Sequence, residues 1–249
     1  MEETRRVWDA WSDGFQAAWN ADTDEGSVPP APVHLGPGAD DDPFAHLPDL
    51  DGLDAVELGC GGGQGSIGLA RHGADVVGVD LSTEQLRHAR RHRGVHGVDV
   101  RFVAGDVRAL PLAADRFDLA HSSWVFQMVD DLRAAFAEAR RVLRPGGTFV
   151  LAVPHPFHDL VDSKTGEVER SYFETGAERE SVGDVDPELT VFRRPASAYH
   201  DALVDAGFVV ERMLEPGSAD PDDYGRYPGY DRELMARVTP TLGFRATVR

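Results

Sequence analysis

The chain of 249 residues is short of cysteine, of lysine and of positive charge in general. Cysteine occurs once, at Cys60, which excludes an intramolecular disulfide and leaves no set of thiolates for a zinc site. Lysine also occurs once, at Lys164, so 24 of the 25 basic residues are arginine. Against these stand 43 acidic residues, and the formal net charge is −18. Neutralising phosphates needs clustered cations, so nucleic acid is not expected as a partner, nor is an anionic membrane surface. No run of 18 apolar residues is present, and residues 1–6 lack the apolar core of a signal peptide. A soluble, cytoplasmic protein is the expectation. The acidic, lysine-poor composition points to a salt-adapted proteome; the alternative source is a GC-rich genome, which does not by itself require so much acid.

What is present is enough to fold. Hydrophobic residues make up 41% of the chain, sufficient for a sizeable core in one large domain or two small ones. Trp8, Trp11, Phe15 and Trp19 follow one another at spacings of 3, 4 and 4, one face of an amphipathic helix over residues 4–20. Residues 22–49 are rich in proline and carry Asp40-Asp41-Asp42, which reads as an irregular connector. From Asp54 the texture changes. Strands are expected at residues 54–58, 75–79, 98–103, 117–121, 148–153, 208–214 and 242–248. Helices are expected between the first strands, with Ser82 and Gln85 forming a capping box. A further helix over 131–143 is expected to stop at Pro145-Gly146-Gly147, and another spans 197–205. The pattern lapses between 154 and about 194, a stretch too long for an ordinary loop. The rhythm predicts an α/β fold: a doubly wound, mostly parallel seven-stranded sheet with an N-terminal helix and an insertion after the fifth strand. We read 1–249 as one domain, divided into helix and connector (1–49), core (50–153), insertion or cap (154–195) and the last part of the sheet (196–249).

The most informative segment is residues 56–65, Val-Glu-Leu-Gly-Cys-Gly-Gly-Gly-Gln-Gly. A strand that runs into glycines and then a helix brings bare backbone close to a ligand. A match to GxGxxG exists at Gly63-Gln64-Gly65-Ser66-Ile67-Gly68, but it begins after the strand has ended. Counted from Gly59, the last glycine position holds Gln64, so the dinucleotide pattern fails there. Glu57, at the lip of the first strand, is awkward beside a pyrophosphate, since like charges repel. It suits a ligand with cationic groups, such as S-adenosylmethionine. Asp80 ends the second strand, 21 residues after Gly59, where a carboxylate can accept hydrogen bonds from ribose hydroxyls. Asp106 follows the third strand, where a carboxylate can accept a hydrogen bond from an adenine amino group or serve as a helix N-cap or turn acid.

These residues carry a resemblance. Glu57 to Gly63, Gly78-Val79-Asp80-Leu81-Ser82, Gly105-Asp106-Val107 with Leu110-Pro111, Phe117-Asp118-Leu119 and Arg141-Val142-Leu143-Arg144-Pro145-Gly146-Gly147 occur in the order of a class I S-adenosylmethionine-dependent methyltransferase. The chain resembles that family over about residues 54–153. Its usual loop is closer to Gly-Cys-Gly-Thr-Gly, and Gly62 replaces the threonine here. The resemblance implies a cofactor, S-adenosylmethionine, held by Glu57, Gly59, Cys60, Gly61, Gln64, Asp80, Leu81, Asp106, Val107 and Ser122. Within that set Gly59, Cys60 and Gly61 line the methionine part, Asp80 the ribose, and Leu81, Asp106 and Val107 the adenine, with Ser122 near the amino-acid end. It also implies a small-molecule acceptor.

Methyl transfer from a sulfonium is an in-line displacement with a neutral leaving group, so alignment and exclusion of water are the main levers. A base is needed only if the acceptor must lose a proton. His155, after the fifth strand, is the candidate base, and for both His155 and His158 the alternative is a turn or packing role. Trp11, Phe15, Trp124, His158 and Tyr172 are candidates for the acceptor wall, the N-terminal aromatics having core packing as their alternative. His155 and His158 lack a recognisable third ligand, so no metal is expected. Two other readings are a nicotinamide-dependent oxidoreductase and a protein that binds the cofactor without catalysis.

The acid excess generates a first prediction. Self-repulsion is unscreened at low ionic strength, so stability is expected to fall on dilution below roughly molar salt. Thermal unfolding followed across a potassium chloride series checks it, and a midpoint as high in dilute buffer as in molar salt contradicts it.

Overall fold

The computed structural model describes residues 1–20, 36, 43–162, 164–186, 188–224 and 230–249. Most of the expected connector therefore lies outside the described residues; its end forms a 3-10 turn, Pro43–His46. The N-terminal helix α1 runs over Glu2–Trp19. There follow β1 (Asp54–Leu58), α2 (Gln64–Arg71), β2 (Asp75–Asp80), α3 (Thr83–His96), β3 (Val100–Ala104), β4 (Phe117–Ser123) and α4 (Leu132–Val142). The second half holds β5 (Leu143–Pro154), β6 (Gly176–Glu180), β7 (Leu189–Arg193), α5 (Ala196–Asp205), β8 (Phe208–Leu214), α6 (Arg232–Met235) and β9 (Thr241–Val248).

Seven strands form one sheet in the order β3-β2-β1-β4-β5-β9-β8. The first five pair in parallel, and β9 runs antiparallel to both β5 and β8. This is the expected doubly wound, mostly parallel sheet. Successive residues point to opposite faces, so each central strand feeds two cores. Phe149, Leu151 and Val153 face the helices α4 and α5, whereas Val150 and Ala152 face the side covered by Leu69 of α2 and by Leu47 and Leu50.

The expected capping box forms in part: the Ser82 hydroxyl accepts the Gln85 amide at 3.1 Å, and α3 closes on Gly97 in the left-handed region. The expected stop of α4 at Pro145-Gly146-Gly147 is corrected. The helix ends at Val142, and its next residue, Leu143, already pairs with Phe117. Pro145 to Gly147 lie within β5, in the span where the register shifts before Thr148 pairs with Leu119. A proline cannot supply a ladder hydrogen bond, so the ladder bulges past it.

The insertion is not irregular throughout. It contains an antiparallel hairpin, β6–β7, separate from the main sheet. Leu189 and Val191 of β7 are buried against Val7 of α1 and Met128, which fastens the hairpin to the N-terminal helix.

The larger core is built around interlocking rings. Phe136 on α4 is fully buried, with ring centroids 4.9 Å from Phe126 and 5.8 Å from Phe149. Phe136→Ala is expected to cost about 3–5 kcal/mol and to lower the unfolding midpoint by roughly 6–20 °C, measured by calorimetry.

Candidate functional site

The site is built where β1, β2 and β4 end. After Leu58 the chain turns over the end of β2, and the amides of Gly59 and Cys60 both donate to the Val79 carbonyl, at 2.8 and 2.9 Å. The loop passes through left-handed backbone at Gly59, Gly61 and Gly63, as a tight strand-to-helix turn requires. Asp80 pins it. One carboxylate oxygen accepts the Gly61 amide and the other the Ser82 amide, each at 2.8 Å. A single side chain thus fixes the glycine loop and the start of α3. Burial pushes the Asp80 carboxyl up to about 6, against the pull of those two amides. Cys60 is buried, and burial together with the Asp80 and Glu57 charges raises its thiol well above the ordinary range. It is therefore a neutral packing group and not a nucleophile.

Glu57 is 5% exposed and sits at the first turn of α2, where a helix favours negative charge. Its carboxylate accepts the Ser66 hydroxyl at 2.5 Å and lies 3.5 Å from His121 Nδ1 on the neighbouring strand. A Cβ at Gly65 would overlap this carboxylate, so the glycine makes room for Glu57.

Helix α1 roofs the loop. Asp9 accepts the Ser82 hydroxyl at 2.7 Å, and Asp13 reaches Arg87 and His88 at 2.6 and 2.8 Å. Deeper, the Gln64 amide donates to Gln16 at 2.7 Å, and Gln16 donates to Gln85 at 2.8 Å. The three glutamines tie α2, α1 and α3 together. Gln16 packs directly on Gly62, and a Cβ there overlaps its amide. This accounts for the glycine where the resemblance implies threonine: the residue makes room for the roof.

A cavity of about 730 Å³ opens under α1 and the β6–β7 hairpin. Glu57, Gly59, Cys60, Gly61, Gln64, Asp80, Leu81 and Val107 line it, as the sequence implies. So do Trp11, Phe15, Trp124 and Tyr172, together with Trp8 and Trp19. Trp11 lies 5.2 Å from Phe15, which stacks on Trp19 at 6.3 Å, so the aromatic stripe faces the cavity as a continuous wall. Trp124 adopts a left-handed backbone, φ 59°, rare for a bulky residue. Its indole nitrogen is buried without a partner. Strain and an unmet donor at a cavity wall are both features of ligand sites.

Four predicted residues lie outside the wall. The Ser122 hydroxyl is fully buried and donates to the Leu58 carbonyl at 2.8 Å; its neighbour Ser123 lines the cavity instead. Asp106 is forked by Arg108, at 2.7 to 3.2 Å, while Gly105 and Val107 on either side reach the cavity. His155 bonds Glu215 through Nε2 at 3.0 Å and accepts the Phe157 amide at Nδ1, so both ring nitrogens are engaged. His158 is buried behind the Tyr230 ring, 5.4 Å away. Residues not anticipated are Gln16, Gln85, Asp159, Glu180, Tyr199 and Tyr230. Their positions depend on long-range packing, and only Gln16, on the inner face of a helix otherwise aromatic on its cavity side, left a local trace.

Residues 56–151 match the family model of the methyltransferase domain. A solved S-adenosylmethionine-dependent methyltransferase from Mesorhizobium loti superposes with a TM-score of 0.62 at 27% identity, over 82% of this chain and 94% of that one. The malonyl-[acyl-carrier protein] O-methyltransferase of Pectobacterium atrosepticum is 34% identical over 52% of this chain and 47% of its own length. The ubiquinone biosynthesis O-methyltransferase of Brucella anthropi is 34% identical over 45% and 44%. The chain spans under half the length of these curated relatives. Residues 56–151 thus carry a methyltransferase domain, on a fold shared with solved S-adenosylmethionine-dependent methyltransferases. Among the described residues, no helix is long and apolar enough to cross a membrane.

The roof makes a specific prediction. Gly62→Thr is expected to destabilise the protein by about 1–3 kcal/mol through overpacking against Gln16. Gln16→Ala alone also destabilises, since Gln64 loses its partner. Combined, the two should cost less than the sum of the single changes, as read from urea unfolding of the three variants.

Proposed function

We propose that this protein is an S-adenosylmethionine-dependent methyltransferase acting on a small-molecule acceptor enclosed by α1 and the β6–β7 hairpin. The observation that carries the reading is the convergence of the glycine loop and Asp80 on one end of a roofed cavity. The residues fit the cofactor. The Gln85 amide Nε2 is buried at this end without a protein partner, and each Asp80 oxygen accepts one amide and keeps a further lone pair. Glu57 and Asp80 supply negative charge suited to a sulfonium and an ammonium. In this reading Gly59, Cys60 and Gly61 hold the methionine part by backbone, Asp80 the ribose, and Leu81 and Val107 the adenine.

The cofactor, when bound, supplies a methyl group on a sulfonium with a neutral leaving group. The chain's own contribution is then approximation and exclusion of water. Trp8, Trp11, Phe15 and Trp19 close one side, and the hairpin closes the other. His155 is tied to Glu215 outside the wall, so a proton released by the acceptor would go to a carboxylate facing the cavity.

The Asp80 reading gives a pH test. Ribose hydroxyls donate to the ionised carboxylate, so binding favours the form present above about 6. S-adenosylhomocysteine affinity is therefore expected to fall as pH drops through that value, by up to about tenfold per unit. Asp80→Asn is expected to bind more weakly at neutral pH with a flat profile, by calorimetry. An unchanged affinity in that variant removes Asp80 from the site.

A further inference from the structure

The buried glutamines form a chain with a direction. Gln64 Nε2, at the start of α2, donates to Gln16 Oε1 at 2.7 Å. Gln16 Nε2, on α1, donates to Gln85 Oε1 on α3 at 2.8 Å. Each amide gives its NH2 group to the next carbonyl, and the last NH2 group, that of Gln85, is buried with no partner. Gln16 and Gln85 are 3% and 1% exposed, so bulk water does not supply one.

Gln85 lines the cavity beside the glycine loop. Its Oε1 lies 3.9 Å from where a Cβ on Gly61 would stand, and the Gly61 amide is the one that Asp80 holds. Gln64 lines the same wall, and Gln16 sits behind it against Gly62. An amide has a donor end and an acceptor end of similar size, so its direction is set by its partners. A donor on residue 16 draws the Gln85 oxygen inward and leaves the NH2 group for the cavity side. An acceptor there would draw the NH2 group inward and present the oxygen instead. A buried donor left unmet is costly, and a ligand with an acceptor atom at this end removes that cost. A sugar hydroxyl that donates to Asp80 still has lone pairs to accept it.

We propose that Gln16 is a positioning residue for cofactor binding. It fixes the direction of Gln85, so that α3 offers a donor beside the Asp80 carboxylate only when α1 is seated. This rests on the methyltransferase reading of the same cavity.

S-adenosylhomocysteine affinity is measured by calorimetry between about pH 5 and about pH 9 in the unmodified protein, Gln16→Glu, Gln85→Met and the double variant. An ionised carboxylate at 16 accepts from Gln64 but cannot donate to Gln85, so Gln85 turns. A protonated carboxyl accepts on one oxygen and donates from the other, and the original direction returns. Burial raises a carboxyl at that position and brings its ionisation into this range. The ionisable groups bonded into the seam are Asp9 and Asp13 of α1, His88 and His92 of α3, and Asp80. All the proteins share them, so they cancel when each variant is divided by its parent. Gln16→Glu is expected to bind about as tightly as the unmodified protein at the acidic end and about tenfold more weakly at the alkaline end. Gln85→Met is expected to bind about tenfold more weakly throughout, and adding Gln16→Glu to it should change little at any pH. A residue that merely anchors α1 would weaken binding equally in both backgrounds, and that result overturns the proposal. So does a Gln16→Glu profile parallel to that of the unmodified protein, or full affinity in Gln85→Met. Gln16→Met serves if Gln16→Glu does not fold: it is expected to weaken binding where Gln85 is present and not where Gln85 is replaced. Failure of the unmodified protein to bind S-adenosylhomocysteine overturns the methyltransferase reading instead.

Discussion

A parallel sheet with the order β3-β2-β1-β4-β5 must send its connections away from each other on either side of the β1–β4 boundary. At that boundary no crossover passes over the carboxyl ends of the strands. A crevice results, and it positions the part of the site that the strand ends supply. The glycine loop is the exit from β1, Asp80 the exit from β2, and Trp124 the exit from β4. Parallel pairing puts these exits side by side, with Glu57 opposite His121 in register. The crevice alone is open, however, and a reaction that must exclude water needs a cover.

The cover comes from the N-terminal helix and the hairpin, which are fastened to each other as well as to the sheet. Inside, the contact to the glycine loop is made by amides, not charges. Gln16, Gln64 and Gln85 form a neutral network whose burial costs far less than that of an ion pair lacking full compensation. Outside, Asp9 and Asp13 hold the helix where water screens them. The arrangement sets a firm inner seam and a weaker outer one. It also explains the loop sequence: with the roof amide seated on residue 62, any larger residue there has to displace Gln16.

Much of this was legible in the sequence because it is local. Period-2 alternation, glycines after a strand and the Ser82 cap all act over a few residues, so the strands of the main sheet and the loop that opens the cavity follow from them. Three things did not follow. Pro145 to Gly147 read as a helix stop, but pairing between Phe117 and Leu143 begins the strand earlier, a tertiary effect on a local signal. The hairpin Gly176–Glu180 with Leu189–Arg193 was hidden because only Leu189 and Val191 of it are buried, too few for a pattern. Ser122 and Ser123 show how finely side-chain direction matters. Adjacent strand residues face opposite ways, so a placement wrong by one residue exchanges a cavity wall for a core hydrogen bond.

The net charge also acquires structure. On the surface, acids are paired with arginine or screened by ions, and their mutual repulsion depends on salt. Inside the cavity, Glu57 and Asp80 face a space from which ions are partly excluded. Their field there is screened much less than that of the surface. A sulfonium or an ammonium entering this space relieves repulsion that the folded chain otherwise carries, so binding and folding are coupled in the same direction. An anionic ligand meets the opposite field. The chain's shortage of lysine bears on this directly. The cations that reach the wall are arginines, and Glu178, Glu3 and backbone carbonyls take up their guanidinium groups.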